Sequence, residues 1–300
     1  MKRGGKRIQK ITLHLWFDKE AKEAAKFYTS IFRKSKIKNL TTLHNTPSGS
    51  VDMVTIEFLS QDFTLINAGP LFKFNPSISF LVASKTKTEI ESIWERLSED
   101  GVVLMELGEY PFSKKYGWIQ DKYGVSWQLI FNSTGEIKQK ITPTLMFVGD
   151  NYGKAEEAIN FYTSVFHNAK FGDILRYSKD EEPDKEGTIK HASFILEGQQ
   201  FAAMDSAHEH NFTFNEAISF MVHCNNQEEI DYYWKTLSAD PLAEQCGWLK
   251  DKYGVSWQIV PIIMDGMMNS KDEEKKSRVT EAFLKMKKLD IAKLERAYAG

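Results

Sequence analysis

Cysteine is scarce in this 300-residue chain, which has only Cys224 and Cys246. That argues against a disulfide framework and fits a reducing, cytoplasmic compartment. No CxxC and no paired Cys/His spacing is present, so no structural zinc site is expected. No apolar run reaches the roughly 18–20 residues that cross a bilayer. The basic start, Lys2-Arg3-Gly4-Gly5-Lys6-Arg7, has no apolar stretch behind it and does not read as a secretory signal. Residues 1–10 read instead as a basic flexible tail. A net charge of -2 offers no attraction to nucleic acid or acidic membranes. The only glycine pair, Gly4-Gly5, precedes the first strand, so no GxGxxG turn exists for a nucleoside cofactor. A nucleophile elbow, a phosphate loop and a heptad run are also missing.

Aromatic residues are plentiful, at 13%, and the chain repeats itself. Tyr116-Gly117-Trp118-Ile119-Gln120-Asp121-Lys122-Tyr123-Gly124-Val125-Ser126-Trp127-Gln128 returns as Cys246-Gly247-Trp248-Leu249-Lys250-Asp251-Lys252-Tyr253-Gly254-Val255-Ser256-Trp257-Gln258. Ile11-Thr12-Leu13-His14-Leu15-Trp16-Phe17 returns as Ile141–Phe147, Phe27–Phe32 as Phe161–Phe166, and Ser77–Val82 as Ala217–Val222. The repeat is the size of a small domain, too long for a solenoid unit. The boundaries follow: a first domain at 11–132, a linker at 133–140, a second domain at 141–262 and a helical extension at 263–300.

Within each half the period of the apolar residues alternates between 2 and 3.6. Strand 11–17 precedes a helix over 19–32 with Asp18 as its expected N-cap. Strands at 36–44, 51–59 and 62–67 follow, with Ser60-Gln61-Asp62 as a tight turn. The pattern restarts with strand 77–83, a helix from Thr86 and three short strands to 131. The second half repeats the order but has a shorter stretch before Cys246, where the first half carries Val102 to Lys115. The fold class is therefore α+β, four strand–helix–strand–strand–strand modules with mostly antiparallel sheets. Ser270-Lys271-Asp272-Glu273 and Asp290 start two further helices. Their apolar stripe, Val279, Phe283, Met286 and Leu289, packs on its own domain or on another subunit.

These paired modules resemble the vicinal oxygen chelate superfamily of glyoxalase I, bleomycin-resistance proteins and extradiol dioxygenases. The Ile-Thr-x-x-Leu-x-Phe opening, the Phe-Tyr-Thr-Ser-x-Phe helix end and the Asp-Lys-Tyr-Gly-Val-Ser-Trp-Gln close are similar to its 3-demethylubiquinone-9 3-methyltransferase-like branch. The resemblance covers residues 11–261 in two copies and implies tandem glyoxalase-like domains with cupped sheets that pair about a pseudo-two-fold axis. The missing glycine-rich turn does not support the methyltransferase activity in that name.

Metal-dependent relatives hold one divalent ion with four side chains. The matching positions here are Thr12, Phe63, Ser77 and Gln128, then Thr142, Phe201, Ala217 and Gln258. Neither set has a carboxylate or an imidazole, so no metal and no cofactor are expected. His14 lies on the same strand face as Thr12, while its counterpart in the repeat is Thr144. Gln128 and Gln258 grip a ligand carbonyl or tie down the strands. The candidate ligand-binding residues are His14, Trp16, Asn67, Trp118 and Gln128, with Thr144, Met146, Asp205, Trp248 and Gln258 in the second half. Trp127 and Trp257, flanking the glutamines, face the core. The functional expectation is a metal-free small-molecule-binding protein. The alternative is a metal-dependent glyoxalase, dioxygenase or thiol-transferase on the same scaffold. A homodimer through the C-terminal helices is open.

Overall fold

A computed structural model describes residues 9–134 and 136–300. The basic tail expected at 1–10 therefore lies outside the described residues up to position 8. Gln9 and Lys10 are held: Gln9 Nε2 donates to Ile11 O at 2.7 Å, and Lys10 pairs with Glu229 at 2.7 Å.

Four modules follow one another. The first is β1 Ile11–Phe17, α1 Ala21–Ile31, β2 Lys36–Thr46, β3 Gly49–Phe58 and β4 Gln61–Asn67. The second is β5 Ile78–Ser84, α2 Lys87–Ser98, β6 Val102–Tyr110, β7 Ser113–Gln120 and β8 Ser126–Phe131. The third is β9 Ile141–Phe147, α3 Ala155–Val165, β10 Lys170–Arg176, β11 Ile189–Leu196 and β12 Gln199–Asp205. The fourth has β13 Ile218–Cys224, α4 Gln227–Leu237, β14 Trp248–Lys250 and β15 Ser256–Pro261. The tail adds α5 Ile263–Met268, α6 Glu273–Leu284 and α7 Ile291–Ala299.

The sequence repeats are not the units of packing. One sheet runs β14-β15-β13-β1-β4-β3-β2 and the other β10-β11-β12-β9-β5-β8-β7-β6. Each sheet joins one module from each half, through antiparallel pairing of β1 with β13 and of β5 with β9. The compact units are accordingly discontinuous. Unit 1 comprises residues up to Thr29, Lys34–Leu71 and Glu216–Gly300; unit 2 comprises Ser30–Arg33 and Phe72–Asn215. Both sheets are mixed, since β1 and β4, β5 and β8, β9 and β12, and β13 and β15 pair in parallel.

In unit 1 the period-two pattern of β1 divides two faces. Leu13 pairs with Phe63, which meets Phe58 at 5.1 Å, and Phe58 meets Tyr28 of α1 at 5.7 Å. This is the helix-covered core. Thr12, His14 and Trp16 take the opposite face, termed the cup face here. The same division in unit 2 puts Gly117 against Trp94 of α2, where an added Cβ would lie 2.6 Å from Trp94 Cζ3.

Local chemistry sets the element ends. Leu59 and Ser60 both have positive φ, as do Glu197 and Gly198, which makes two-residue hairpin turns. The turn therefore falls one residue before the expected Ser60-Gln61-Asp62. Thr86 Oγ1 accepts from Glu89 N at 3.2 Å and starts α2, while Asp272 and Asp290 cap α6 and α7. At α1 the cap is not Asp18: Asn67 Oδ1 accepts from Ala21 N at 2.7 Å, across the sheet end.

The tail packs on its own unit. Met267, Met268, Val279, Phe283, Leu289 and Leu294 form one cluster with Val260, and Leu43, Met221 and Cys246 pack against it. Cys246 N donates to Met286 O and Gly247 N to Lys287 O, both at 2.8 Å. Burying such side chains contributes about 1.5–3 kcal/mol each, so the apolar stripe is spent within the chain.

Candidate functional site

In unit 1, Trp248 pairs with Gln258, which pairs through Met221 with Thr12. The next row inward holds Ser256, Ser219, His14 and Thr64. Gln258 Nε2 donates to Ser219 Oγ at 3.0 Å, and Thr12 Oγ1 meets His223 Nε2 at 3.0 Å. His14 is 3% exposed and lies edge-on to Trp248, with ring centroids 5.2 Å apart. Burial pushes its pKa down to about 3, so the imidazole is neutral near pH 7. Trp16 joins this cluster, 6.0 Å from Trp248, and donates from Nε1 to Gly69 O.

In unit 2 the matching face holds Ser79, Gln128 and Thr144, with Thr144 opposite Ser79. Tyr116 Oη donates to Gln128 Oε1 at 2.7 Å, and Gln128 Nε2 donates to Ser79 Oγ at 2.8 Å. The glutamine is thus bonded at both ends by its own sheet. Burial first, then the nearby Tyr110, raises the Tyr116 pKa and keeps the phenol neutral. Trp118 donates from Nε1 to Ser126 Oγ at 2.7 Å.

Asn67 and Asp205, both expected to bind ligand, serve the backbone instead. Asp205 Oδ1 accepts from Gly153 N and Ala155 N at the start of α3, and Oδ2 accepts from Ile189 N. Asn67 does the same for α1. Each is the short polar side chain that a helix start requires.

Among the eight expected metal positions, the two phenylalanines turn away from the cup. Phe63 and Phe201 lie in the core, at 1% and 2% exposure, because the register turns them under the helices. Their neighbours Asp62 and Gln200 face the cup, and Asp62 is taken by Lys38 at 2.6 Å. The cup faces offer hydroxyls, amides and imidazoles, partly bonded to each other, while His14 Nδ1, His223 Nδ1 and Ser256 Oγ have no hydrogen-bond partner. Among the described residues no group of three or more His, Cys, Asp or Glu side chains is placed to hold a metal ion. This donor set does not fit a divalent ion. The starts of α1, α2, α3 and α4 are likewise capped by Asn67, Thr86, Asp205 and Asn226.

Unit 2 has a cavity of about 560 Å³ at the β5 and β8 end of its cup face. Leu81, Ala83, Ile130 and Thr142 floor it; the 109–114 turn and the 131–139 stretch wall it. None of the ten candidate residues lines it. Gln128 and Thr144 stand two residues deeper along their strands. Tyr110, Phe112 and Tyr116 form an aromatic group at the rim: Tyr110 stacks on Phe112 at 5.7 Å, and Phe112 meets Tyr116 edge-on at 5.0 Å. Lys114, Lys138, Glu109 and Glu136 balance in charge. The signal for this site was the unrepeated stretch Val102 to Lys115, which builds the β6–β7 hairpin.

The paired modules and this cup place the chain in the glyoxalase fold. Glyoxalase I from Zea mays shares it at a TM-score of 0.53 with 14% identity, over 87% of this chain and 98% of that one. The sequence model of the family described as 3-demethylubiquinone-9 3-methyltransferase matches residues 9–130 and again 139–260, and the chain belongs to that family. A Bacillus cereus protein titled "Putative 3-demethylubiquinone-9 3-methyltransferase, PhnB protein" is 42% identical, at a TM-score of 0.39, across 41% of this chain and all of that one. No curated protein matches. No described helix is long and apolar enough to cross a membrane.

Proposed function

We propose that the chain binds an uncharged small organic molecule in the unit 2 cavity, without a metal and without methyl transfer. The carrying observation is the cavity itself, about 560 Å³, with an aliphatic floor and aromatic rim. That combination of apolar wall and few polar groups is what ligand sites offer. The balanced rim charges favour neither an anion nor a cation. Thr142 and Asn132 supply the hydrogen-bonding groups. Among the titratable groups of the cup faces, His14 and Tyr116 do not have the pKa of a general acid or base near pH 7, which supports binding over catalysis.

The test is a thermal-shift screen of a metabolite library against the wild-type chain and Ala83→Trp. The indole fills the cavity floor, so hits should lose at least about tenfold in affinity, roughly 1.4 kcal/mol. Hits that bind Ala83→Trp as well as wild type would sink the assignment.

A further inference from the structure

The space that is open in unit 2 is filled in unit 1. Register places Met221, His223, Val260 and Thr12 in sheet positions matching Leu81, Ala83, Ile130 and Thr142. Two of those four positions, Met221 with Leu81 and Val260 with Ile130, are apolar in both units. Over the unit 1 floor, Met221 and Val260 pack against α5–α7. The tail follows the last repeated strand and belongs to neither repeat. Beyond its apolar cluster it is tied by Lys287 to Glu244, by Lys288 to Asp231 and by hydrogen bonds to α4 and to the residues just before β14. Met286 O and Lys287 O accept from Cys246 N and Gly247 N, and Gln227 holds Leu289 O and Ile291 N.

One polar atom under the tail is unexplained by packing. His223 is 6% exposed, its Nε2 meets Thr12 Oγ1, and its Nδ1 has no hydrogen-bond partner. Asp265 of α5 acts on the ring through its charge, but no group of the covering helices makes a hydrogen bond to Nδ1. A floor shaped only for packing would carry an apolar residue there, as Ala83 does in unit 2, because an unmet buried polar group costs stability. The imidazole faces the same volume that ligand would occupy by sheet equivalence.

We infer that this end of the unit 1 cup is a second binding site, kept filled by the chain's own C-terminal helices. Once they move aside, it takes an uncharged molecule with an apolar body and a hydroxyl or amide for His223. The ligand body replaces Met267, Met268 and Phe283, all apolar; Asp265 leaves with α5, and the charges that stay are paired, Lys10 with Glu229 and Lys38 with Asp62, so a charged group would lose its hydration without compensation. The assignment rests on the unit 2 reading through sheet equivalence, but its test reads unit 1 alone, so the two readings can fail separately.

The test uses the full chain, as wild type and as Gln227→Ala/Leu294→Ala. Those substitutions loosen the attachment of α7 and leave the floor untouched. Modification of His223 by diethyl pyrocarbonate and of Cys224 by N-ethylmaleimide is followed by peptide mass spectrometry. Cys224 lies on the core face of the same strand, fully buried, and reports unfolding of the unit. The expected result is His223 modification at least tenfold faster in the variant, Cys224 unchanged, and His223 protected again by Nile red, an uncharged apolar probe. Cys224 reacting in step with His223 would show that the helices are core, and the inference would fail. It would also fail if His223 stays protected while amide exchange over 273–299 quickens, or if Nile red gives no protection.

Discussion

Trp127 Nε1 donates to Asp121 Oδ2 at 2.8 Å, and Trp257 makes the same bond to Asp251 at the same distance. Asp121 Oδ1 also accepts from Tyr123 N and Val125 N, and Asp251 Oδ1 from Tyr253 N and Val255 N. The longest repeated motif is therefore a clip that closes the turn into β8 and β15. Gly124 and Gly254 take φ of +88° and +85° inside it. Asp121→Ala orphans two amides and an indole at a buried site, each worth about 1–3 kcal/mol. A loss of about 3 kcal/mol in urea unfolding is expected, and Asp251→Ala should match it. A loss below about 1 kcal/mol in either variant would contradict the clip.

Much of the fold was legible in this way and part of the site was not. Trp127 and Trp257 read as core because each flanks a glutamine on the opposite face, and both are at most 1% exposed. Phe63 was misplaced because the turn at Leu59-Ser60 comes one residue early, and a one-residue slip exchanges the two faces of a strand. Asn67 and Asp205 looked like ligand groups because nothing local shows a strand end reaching a helix start some 46 or 50 residues away. The pairing of β1 with β13 was also hidden. The repeated strands carry similar patterns, so periodicity cannot choose the partner.

The buried imidazoles set a pH dependence. His14 has its pKa lowered from 6.5 to about 3, and His223 and His191 are lowered too, in each case chiefly by burial. The unfolded chain takes up a proton below about 6.5 that folded His14 refuses until about 3. Stability should therefore fall as pH drops through that window, by about 1.4 kcal/mol per pH unit for His14 alone. Chemical denaturation at pH 7 and pH 5 measures it. His14→Gln should flatten the slope by about that amount, and an unchanged slope would rule His14 out as a source.

The Tyr116–Gln128–Ser79 chain distinguishes a structural amide from a ligand grip. Tyr116→Phe leaves Gln128 Oε1 short of a donor at a buried site and should cost about 1–2 kcal/mol. Ligands of the unit 2 cavity should keep their affinity in that variant within a factor of about two. A tenfold loss by calorimetry would move Gln128 into the binding site.

Metal removal should change nothing measurable. Dialysis against a chelator is expected to leave the unfolding midpoint within about 1 °C, since among the described residues no His, Cys, Asp or Glu cluster is placed to hold an ion. Elemental analysis of the purified chain should find far less than one equivalent of nickel, zinc, manganese or iron. A stoichiometric ion would overturn the donor-set argument.

Because β1 lies beside β13 and β5 beside β9, a protease nick anywhere in 133–140 would not release two independent proteins. Each fragment supplies strands that the other's sheet needs, so the cut chain should travel as a single particle through gel filtration and come apart only in denaturant.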